Sequence, residues 1–178
     1  MKKFVTLLLT AALAITAATT AFAADTTIGP GTNSKQIDVT YTVNPSYTVT
    51  IPANITLTSQ TNGTAEGTAK VSATNVTVPY GQSVKVALSS DFQVKLTGVS
   101  TTAAPTMSYK VYKVKDPNTK PSNNDLVEDN GTVLEVAPEA AGKTGAATLA
   151  FVTDKVVYSG DYEGTVTFTV SVGAKTTN

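Results

Sequence analysis

Apolar and polar side chains alternate with a period of two along most of the chain after residue 35. The first such run places Ile37, Val39, Tyr41 and Val43 on one face and Gln36, Asp38, Thr40 and Thr42 on the other. Successive side chains of a β-strand point to opposite faces of the sheet, so strict alternation is typical of a strand with one buried face. We therefore predict a half-buried strand at residues 36–43.

Further runs follow the turn signal Asn44-Pro45. Their apolar positions are Tyr47, Val49 and Ile51; Ile55 and Leu57; Val71 and Ala73; Val76 and Val78; Val84, Val86 and Leu88; Phe92, Val94 and Leu96; Met107, Tyr109 and Val111; a weaker set at Val133, Val136, Leu149, Phe151, Val156 and Tyr158; and Val166, Phe168, Val170 and Val172. The phase slips by one between Ala73 and Val76, which predicts a β-bulge near Thr74 and Asn75. The residues 89–91, Ser-Ser-Asp, predict a hairpin turn.

The fold class follows from this count of nine or ten short strands with no helical periodicity outside the first residues. Residues 24–178 hold 28 Thr and 21 Val, two β-branched types that suit a pleated surface. We predict an all-β fold, an antiparallel immunoglobulin-like β-sandwich with Greek-key connections. A closed barrel is the alternative that strand count does not separate from it.

The domain organisation begins with a predicted signal peptide at residues 1–23, where Lys2 and Lys3 precede an apolar run and Ala21-Phe22-Ala23. A flexible arm is expected at 24–35, a single sandwich domain at 36–173 and a tail at 174–178. A long loop is expected at 115–131. We expect a secreted protein with no stable membrane span after signal cleavage.

The composition removes much chemistry. The chain has no Cys, no His and no Trp, and all 13 of its basic residues are Lys. Thiolate and imidazole metal sites, a Cys nucleophile, a His base and disulfides are therefore excluded. Without residues 1–23, 11 basic residues stand against 13 acidic ones, a net charge of −2. Because a positive field is lacking, no nucleic-acid partner is expected, and no cofactor is expected either.

Catalysis has little support in the sequence, and we predict a non-enzymatic protein with no catalytic residue. Ser83 with Lys85 and Ser108 with Lys110 are the candidate Ser–Lys pairs, each on one face of a strand. Paired carboxylates are a second possibility that no spacing marks out. For the Ser–Lys pairs and for the carboxylates, the favoured interpretation is that they are ordinary solvated surface side chains.

Clustered oxygen ligands occur at residues 125–131, Asp-Leu-Val-Glu-Asp-Asn-Gly, with the composition of a weak calcium site. A solvated acidic loop with an Asn-Gly turn is the preferred interpretation, so no metal site is predicted. Four Asn-x-Thr sequons begin at Asn54, Asn62, Asn75 and Asn130. They are assigned no function because chance sequons are expected in so Thr-rich a chain.

Residues 158–172, Tyr-Ser-Gly-Asp-Tyr-Glu-Gly-Thr-Val-Thr-Phe-Thr-Val-Ser-Val, carry the most recognisable pattern. This stretch resembles the closing hairpin of WxL-type surface proteins of low-GC Gram-positive bacteria, with Phe168 where that family has its eponymous Trp. It is also similar to the last strand of fimbrial subunits. Residues 39–57 resemble the first strands of such secreted domains. For Tyr158 and Tyr162 we predict packing at a strand corner with hydroxyls bonded to backbone.

Three functions are compatible with these features. The first is a secreted, non-enzymatic structural or adhesive protein, extracellular or held noncovalently at the bacterial cell surface, since no lipidated Cys or sortase motif occurs. The second is a pilus or fibre subunit in which residues 24–35, with 36–43, add a strand to a neighbour. The third is a glycan-binding module that uses Tyr rings. The expected partner is a cell-wall or host-surface component, or a second copy of the chain; the ligand-binding residues are unknown.

Overall fold

The computed structural model describes residues 36, 38–99, 104–116, 121–138 and 143–176. Within these ranges the chain forms ten strands and one short 3₁₀ turn, and no helix is long and apolar enough to cross a membrane. The strands are β1 Ser46–Thr50, β2 Thr58–Ser59, β3 Ala65–Thr77, β4 Gln82–Ser89, β5 Gln93–Leu96, β6 Thr106–Val114, β7 Gly131–Val136, β8 Lys143–Thr153, β9 Tyr162–Glu163 and β10 Thr167–Ala174, with the 3₁₀ turn at Asn123–Asp125. The predicted signal peptide, the predicted arm and Ile37 lie outside the described residues.

Two antiparallel sheets build the molecule. One has the order β1-β3-β8-β6-β5-β9 with β2 beside β3, and the other has the order β10-β4-β7. The all-β sandwich prediction is thereby confirmed, and among the described strands the two sheets stay separate instead of closing into the alternative barrel. Among the described strands only β2–β3 and β5–β6 are consecutive in sequence and hydrogen-bonded to each other. The other connections cross between sheets or skip strands; the closer likeness to the immunoglobulin fold stays a prediction.

The core lies between the sheets and follows the predicted alternation. Val84, Val86 and Leu88 of β4 are fully buried, as are Val71 of β3 and Leu149 of β8. Burying one such side chain stabilises the fold by about 1.5–3 kcal/mol relative to leaving it exposed. Aliphatic packing of this kind holds the two sheets together without disulfides.

Three aromatic side chains pack at one end of this core. The Tyr109 ring centroid lies 5.8 Å from that of Phe92 in an edge-on arrangement and 6.0 Å from that of Phe151. The Tyr109 hydroxyl lies 2.6 Å from the Ser90 hydroxyl oxygen, so its polar end is satisfied. Burial raises the pKa of the Tyr109 phenol.

The predicted β-bulge is present in β3. The register with β8 shifts between Ala73 and Val76, and Asn75 has φ +54°, a left-handed conformation that Asn tolerates better than most residues. Ala73 and Val76 are both fully buried despite their odd spacing. The bulge therefore returns the second half of the strand to the core.

The predicted hairpin at residues 89–91 is wrong. Strands β4 and β5 belong to different sheets, so the connection crosses the sandwich. The Ser90 hydroxyl oxygen accepts a bond from the Phe92 amide and donates to the Thr165 carbonyl, and Phe92 has φ +53°. These side-chain bonds turn the chain away from its own strand.

Two weaker strand predictions are also wrong. Ile55 and Leu57 are half-buried residues outside any strand, and the short strand β2 begins one residue later, at Thr58. Val156 and Tyr158 lie in an exposed connection before β9. Their apolar spacing matches a strand, but they belong to none of the described strands, and the Val156 amide donates to the carbonyl of Gly63, which also lies outside a strand.

The first predicted strand is the largest correction. Residues 38–45 belong to no strand and every one of them is exposed, whereas β1 begins directly after them at Ser46. The alternation that predicted a half-buried strand is real in the sequence. Its apolar side chains are exposed, and none of the described strands pairs with the segment.

Candidate functional site

Residues 38–45, here called the unpaired segment, present apolar side chains to solvent in a regular pattern. Val39 is 92% exposed, Tyr41 is 89% exposed and Val43 is 57% exposed. Single exposed apolar residues are ordinary, but these three alternate with Thr40 and Thr42 and would share one apolar face if the segment paired as a strand. The segment has the side-chain pattern of a sheet strand without a sheet.

Strand β10 forms one open edge of the three-stranded sheet, because it pairs only with β4 among the described strands. Its register with β4 pairs Val170 with Val86, and the Lys175 amide continues the same register by donating to the Gly81 carbonyl. In an antiparallel ladder alternate residues exchange both backbone bonds with the neighbour. Odd-numbered residues of β10 therefore bond to β4, and Phe168, Val170 and Val172 direct their backbone N–H and C=O groups toward the open edge.

The side chains of β10 repeat the pattern of the unpaired segment. Phe168, Val170 and Val172 share a face with the fully buried residues of β4 opposite them. Phe168 and Val170 are nevertheless only half-buried, and Val172 is 36% exposed. The core is therefore incompletely covered along this edge.

The β10 edge lacks the features by which proteins prevent strand addition, which are charges, proline, bulges and short length. Its eight residues, Thr-Phe-Thr-Val-Ser-Val-Gly-Ala, contain no charge and no proline. The other edges are protected: β1 lies between Pro45 and Pro52, β7 carries Glu135 and a register shift, and β9 has two residues, one of them charged. Strand β10 is the edge of the described sheets best suited to accept another strand.

A hydrogen-bonded cluster around Glu135 holds the end of β10. Glu135 Oε1 accepts bonds from the Ser83 hydroxyl at 2.6 Å and from the Thr176 amide at 2.8 Å, and Lys85 Nζ lies 3.7 Å away. Lys85 also donates to the Thr176 hydroxyl. The chain after β10 thus reaches across β4 to β7. The Ser83 hydroxyl, followed by the Thr176 amide, lowers the pKa of Glu135 to about 2.

We expect stability to fall in acid through Glu135. Because its folded-state pKa of about 2 lies below the ordinary 4.5, the ionised carboxylate stabilises the fold above about pH 4.5, and this contribution is lost as the pH falls toward 2. Urea unfolding midpoints between pH 6 and 2 should show a shallower decline in Glu135→Gln than in the wild type. Ser83→Ala should reduce the decline as well; an unchanged slope in both variants would contradict the role of the cluster.

The two tyrosines of the closing turn differ in their contacts. The Tyr162 hydroxyl donates to the Tyr158 backbone carbonyl at 3.0 Å, which confirms the predicted hydroxyl-to-backbone bond at a strand corner for Tyr162. The Tyr158 side chain is 56% exposed. Both tyrosines line a shallow groove of about 210 Å³ beside Asp154 and Lys155.

Removing the Tyr162 hydroxyl is expected to destabilise the closing turn. Tyr162→Phe loses one exposed hydrogen bond and should lower the free energy of unfolding by about 0.5–1.5 kcal/mol, measured by urea denaturation. Tyr158→Phe is the matched control, because it deletes the same atom from an exposed ring, and should change stability by less than about 0.5 kcal/mol. Equal losses in the two variants would show that the bond does not fix the turn.

A second groove of about 430 Å³ lies where β5, β9 and the start of β10 meet, and it is mostly polar. Asp91, Lys95 and Glu163 are its charged residues. The turn at Gly164 approaches β5 so closely that a Cβ there would lie 2.5 Å from the Gln93 carbonyl oxygen. Apart from the glycine itself, no sequence feature indicates this close approach.

The two candidate Ser–Lys pairs have different surroundings in the structure. Ser83 and Lys85 share the outer face of β4, but both contact Glu135, so the Ser83 hydroxyl donates to a carboxylate instead of to the amine. Ser108 and Lys110 are exposed on β6. The Ser108 carbonyl accepts a bond from the Asp154 amide. Ser83 thus belongs to the hydrogen-bonded cluster around Glu135.

The acidic stretch 125–131 is divided between separate partners. Asp125 accepts the Ser122 hydroxyl, and Asp129 accepts the Ser89 hydroxyl, the Ser90 amide and the Asn130 side chain. The Ser89 hydroxyl, and after it the Ser90 amide, lowers the pKa of Asp129. In the part of the chain that the structure describes, no group of three or more acidic side chains is arranged to hold a metal ion.

The sequon asparagines occupy surface or turn positions. Asn54 is exposed, and the Asn62 side chain accepts bonds from the Thr64 amide and hydroxyl. Asn75 lies in the bulge, and Asn130 has φ +60° before β7. Three of the four thus have a local backbone role that explains the residue type.

Comparisons with known proteins add little to this geometry. No protein-family model matches the chain, and no curated protein matches it. One solved structure, a chain from a chaperone–tip adhesin complex described as vital for activation of CFA/I fimbriae biogenesis, aligns with 74% of this chain at 11% identity and a TM-score of 0.39. The alignment covers 53% of that chain, so this chain spans about half its length. Overlap at this level is partial, and the fold described above stands on the strands and registers of this chain alone.

Proposed function

We propose that this protein is a secreted, non-enzymatic structural subunit of the bacterial cell surface that assembles into fibres by strand addition. The observation that carries the proposal is the unpaired segment, whose Val39 and Tyr41 are almost fully exposed in strand phase. Burying a side chain of this kind in a neighbouring copy stabilises the assembly by about 1.5–3 kcal/mol. In strand addition the main-chain bonds supply affinity and alternate side chains supply specificity.

The rest of the molecule supports a structural role. The described residues form an all-β sandwich, and the Ser83 and acidic-loop side chains that the sequence suggested for chemistry are bonded to their own fold. The resemblance of residues 158–172 to WxL-type surface proteins and to fimbrial closing strands is part of the same proposal, as is noncovalent retention at the surface. Association with further copies outside the cell would bury the apolar side chains that the unpaired segment exposes in the monomer.

Truncation tests the proposal. Residues 44–178, which lack the arm and the strand-phase side chains, should remain monomeric by size-exclusion chromatography with light scattering, whereas residues 24–178 should form multimers. The described sandwich begins at β1, so the deletion removes no strand of the monomer. If the shortened chain assembles as readily as the longer one, the segment is not the assembling element.

A glycan-binding role is the second candidate, favoured by Tyr158 and Tyr162 in the groove of about 210 Å³. The exposed Tyr158 ring offers a stacking face for a sugar. Since the chain has no Trp, its intrinsic fluorescence comes from tyrosine, and titration with cell-wall polysaccharides should change it. A flat titration across a broad panel, equal to that of Tyr158→Ala, would remove this role.

A further inference from the structure

We infer that the acceptor for the unpaired segment is the β10 edge of a second copy of this chain. The inference rests on the proposed function and names its partner surface. Strand β10 is eight residues long and free of charge and proline, and its outward backbone groups belong to Phe168, Val170 and Val172. Those residues also carry the side chains that the monomer leaves partly uncovered.

The occupant follows from the match between the two strands. The unpaired segment places apolar side chains at odd positions 39, 41 and 43 and Thr at 40 and 42, while β10 places apolar side chains at even positions and Thr or Ser at odd ones. In an antiparallel pair, residues directly opposite each other project from the same face. A register that sets Tyr41 opposite Val170 therefore joins the two apolar faces.

The same register fixes the remaining pairs. It sets Val39 opposite Val172 and Val43 opposite Phe168, so three apolar pairs cover the open side of the core. On the outer face it sets Thr42 opposite Thr169. The backbone groups agree, because Val170 and its alternate neighbours direct their N–H and C=O groups to the side where the new strand lies.

The substitution Val170→Pro separates assembly from folding. The Val170 amide faces the open edge, so Val170→Pro removes no bond to β4, but it deletes a donor for the added strand and its ring obstructs the approach. In residues 24–178 carrying Val170→Pro, we expect the protein concentration needed for assembly to rise at least tenfold. The unfolding transition of this variant should remain cooperative. Wild-type assembly by a folded Val170→Pro variant would overturn the inference.

Disulfide mapping tests the register without depending on how proline is tolerated. The chain has no cysteine, and Thr42, Thr169 and Thr132 are all exposed. Opposed strand residues lie within disulfide range. The variant T42C/T169C should form a ladder of covalent multimers on oxidation, whereas T42C/T132C, which probes the β7 edge of the same sheet, should not.

The outcomes separate this inference from the proposed function. A ladder in T42C/T132C, or none in T42C/T169C while wild-type protein assembles, would show that another edge accepts the segment and would leave the fibre-subunit function standing. A disulfide confined to monomers of T42C/T169C would show that the segment folds back on its own chain. That result would overturn both the inference about the β10 edge and the proposed fibre-subunit function.

Discussion

The variant V39D/Y41D is expected to abolish self-assembly while leaving the monomer as stable as the wild type. Both side chains are almost fully exposed in the monomer, so their replacement should change its free energy of unfolding by less than about 0.5 kcal/mol. Losing the burial of two such side chains costs the assembly about 3–6 kcal/mol, and buried, unpaired carboxylates add to that loss. The association constant should fall by about two to four powers of ten.

The matched control is T40D/T42D, which adds the same two charges on the opposite phase of the same segment. These positions face solvent in a strand that buries Val39 and Tyr41, so assembly should survive with a modest, salt-dependent weakening. Sedimentation velocity at several protein concentrations measures both variants. Equal losses of assembly in the two variants would show that charge alone, and not an apolar strand face, governs association.

Leu149→Ala is expected to produce the largest loss of monomer stability. Leu149 is fully buried in β8, at the centre of the larger sheet. Truncating a buried Leu costs about 2–5 kcal/mol because the lost burial is followed by an unfilled cavity. The total free energy of unfolding of a domain is typically about 5–15 kcal/mol, so this substitution should remove a substantial part of it.

Val157→Ala is the exposed counterpart, since Val157 is 77% exposed in the connection before β9. It should change the free energy of unfolding by less than about 0.5 kcal/mol. Urea denaturation followed by circular dichroism measures both variants. A loss below about 1 kcal/mol in Leu149→Ala would mean that the two sheets do not share a close-packed core.

Much of the fold could be predicted from side-chain alternation because a strand with one buried face shows that pattern directly. The final run was recognised for this reason and forms β10, and the phase slip before Val76 located the bulge. The connection at residues 89–91 was not predictable in the same way. A short polar turn has the same composition whether the chain returns to its own sheet or crosses to the other, and the Ser90 bonds that decide it involve Thr165, far along the sequence.

The candidate site shows a different limit of sequence reasoning. Alternation at Val39 and Tyr41 correctly marked a strand face, but periodicity does not say whether the covering partner lies in the same chain. Only the structure shows that face exposed and an uncharged edge left open at β10. The bond between Glu135 and Thr176 joins residues 41 positions apart and had no sequence signal. The Tyr162 bond could be predicted because a tyrosine at a strand corner commonly bonds its hydroxyl to nearby backbone.

The most direct test of strand-mediated assembly is negative-stain electron microscopy of purified residues 24–178 over a range of concentrations, with size-exclusion chromatography on the same samples. Subunits joined through the unpaired segment should form filaments of regular width, and the amount of filament should increase with protein concentration. A single monomeric peak and no filaments on the grids at any concentration would show that the protein does not assemble through the unpaired segment.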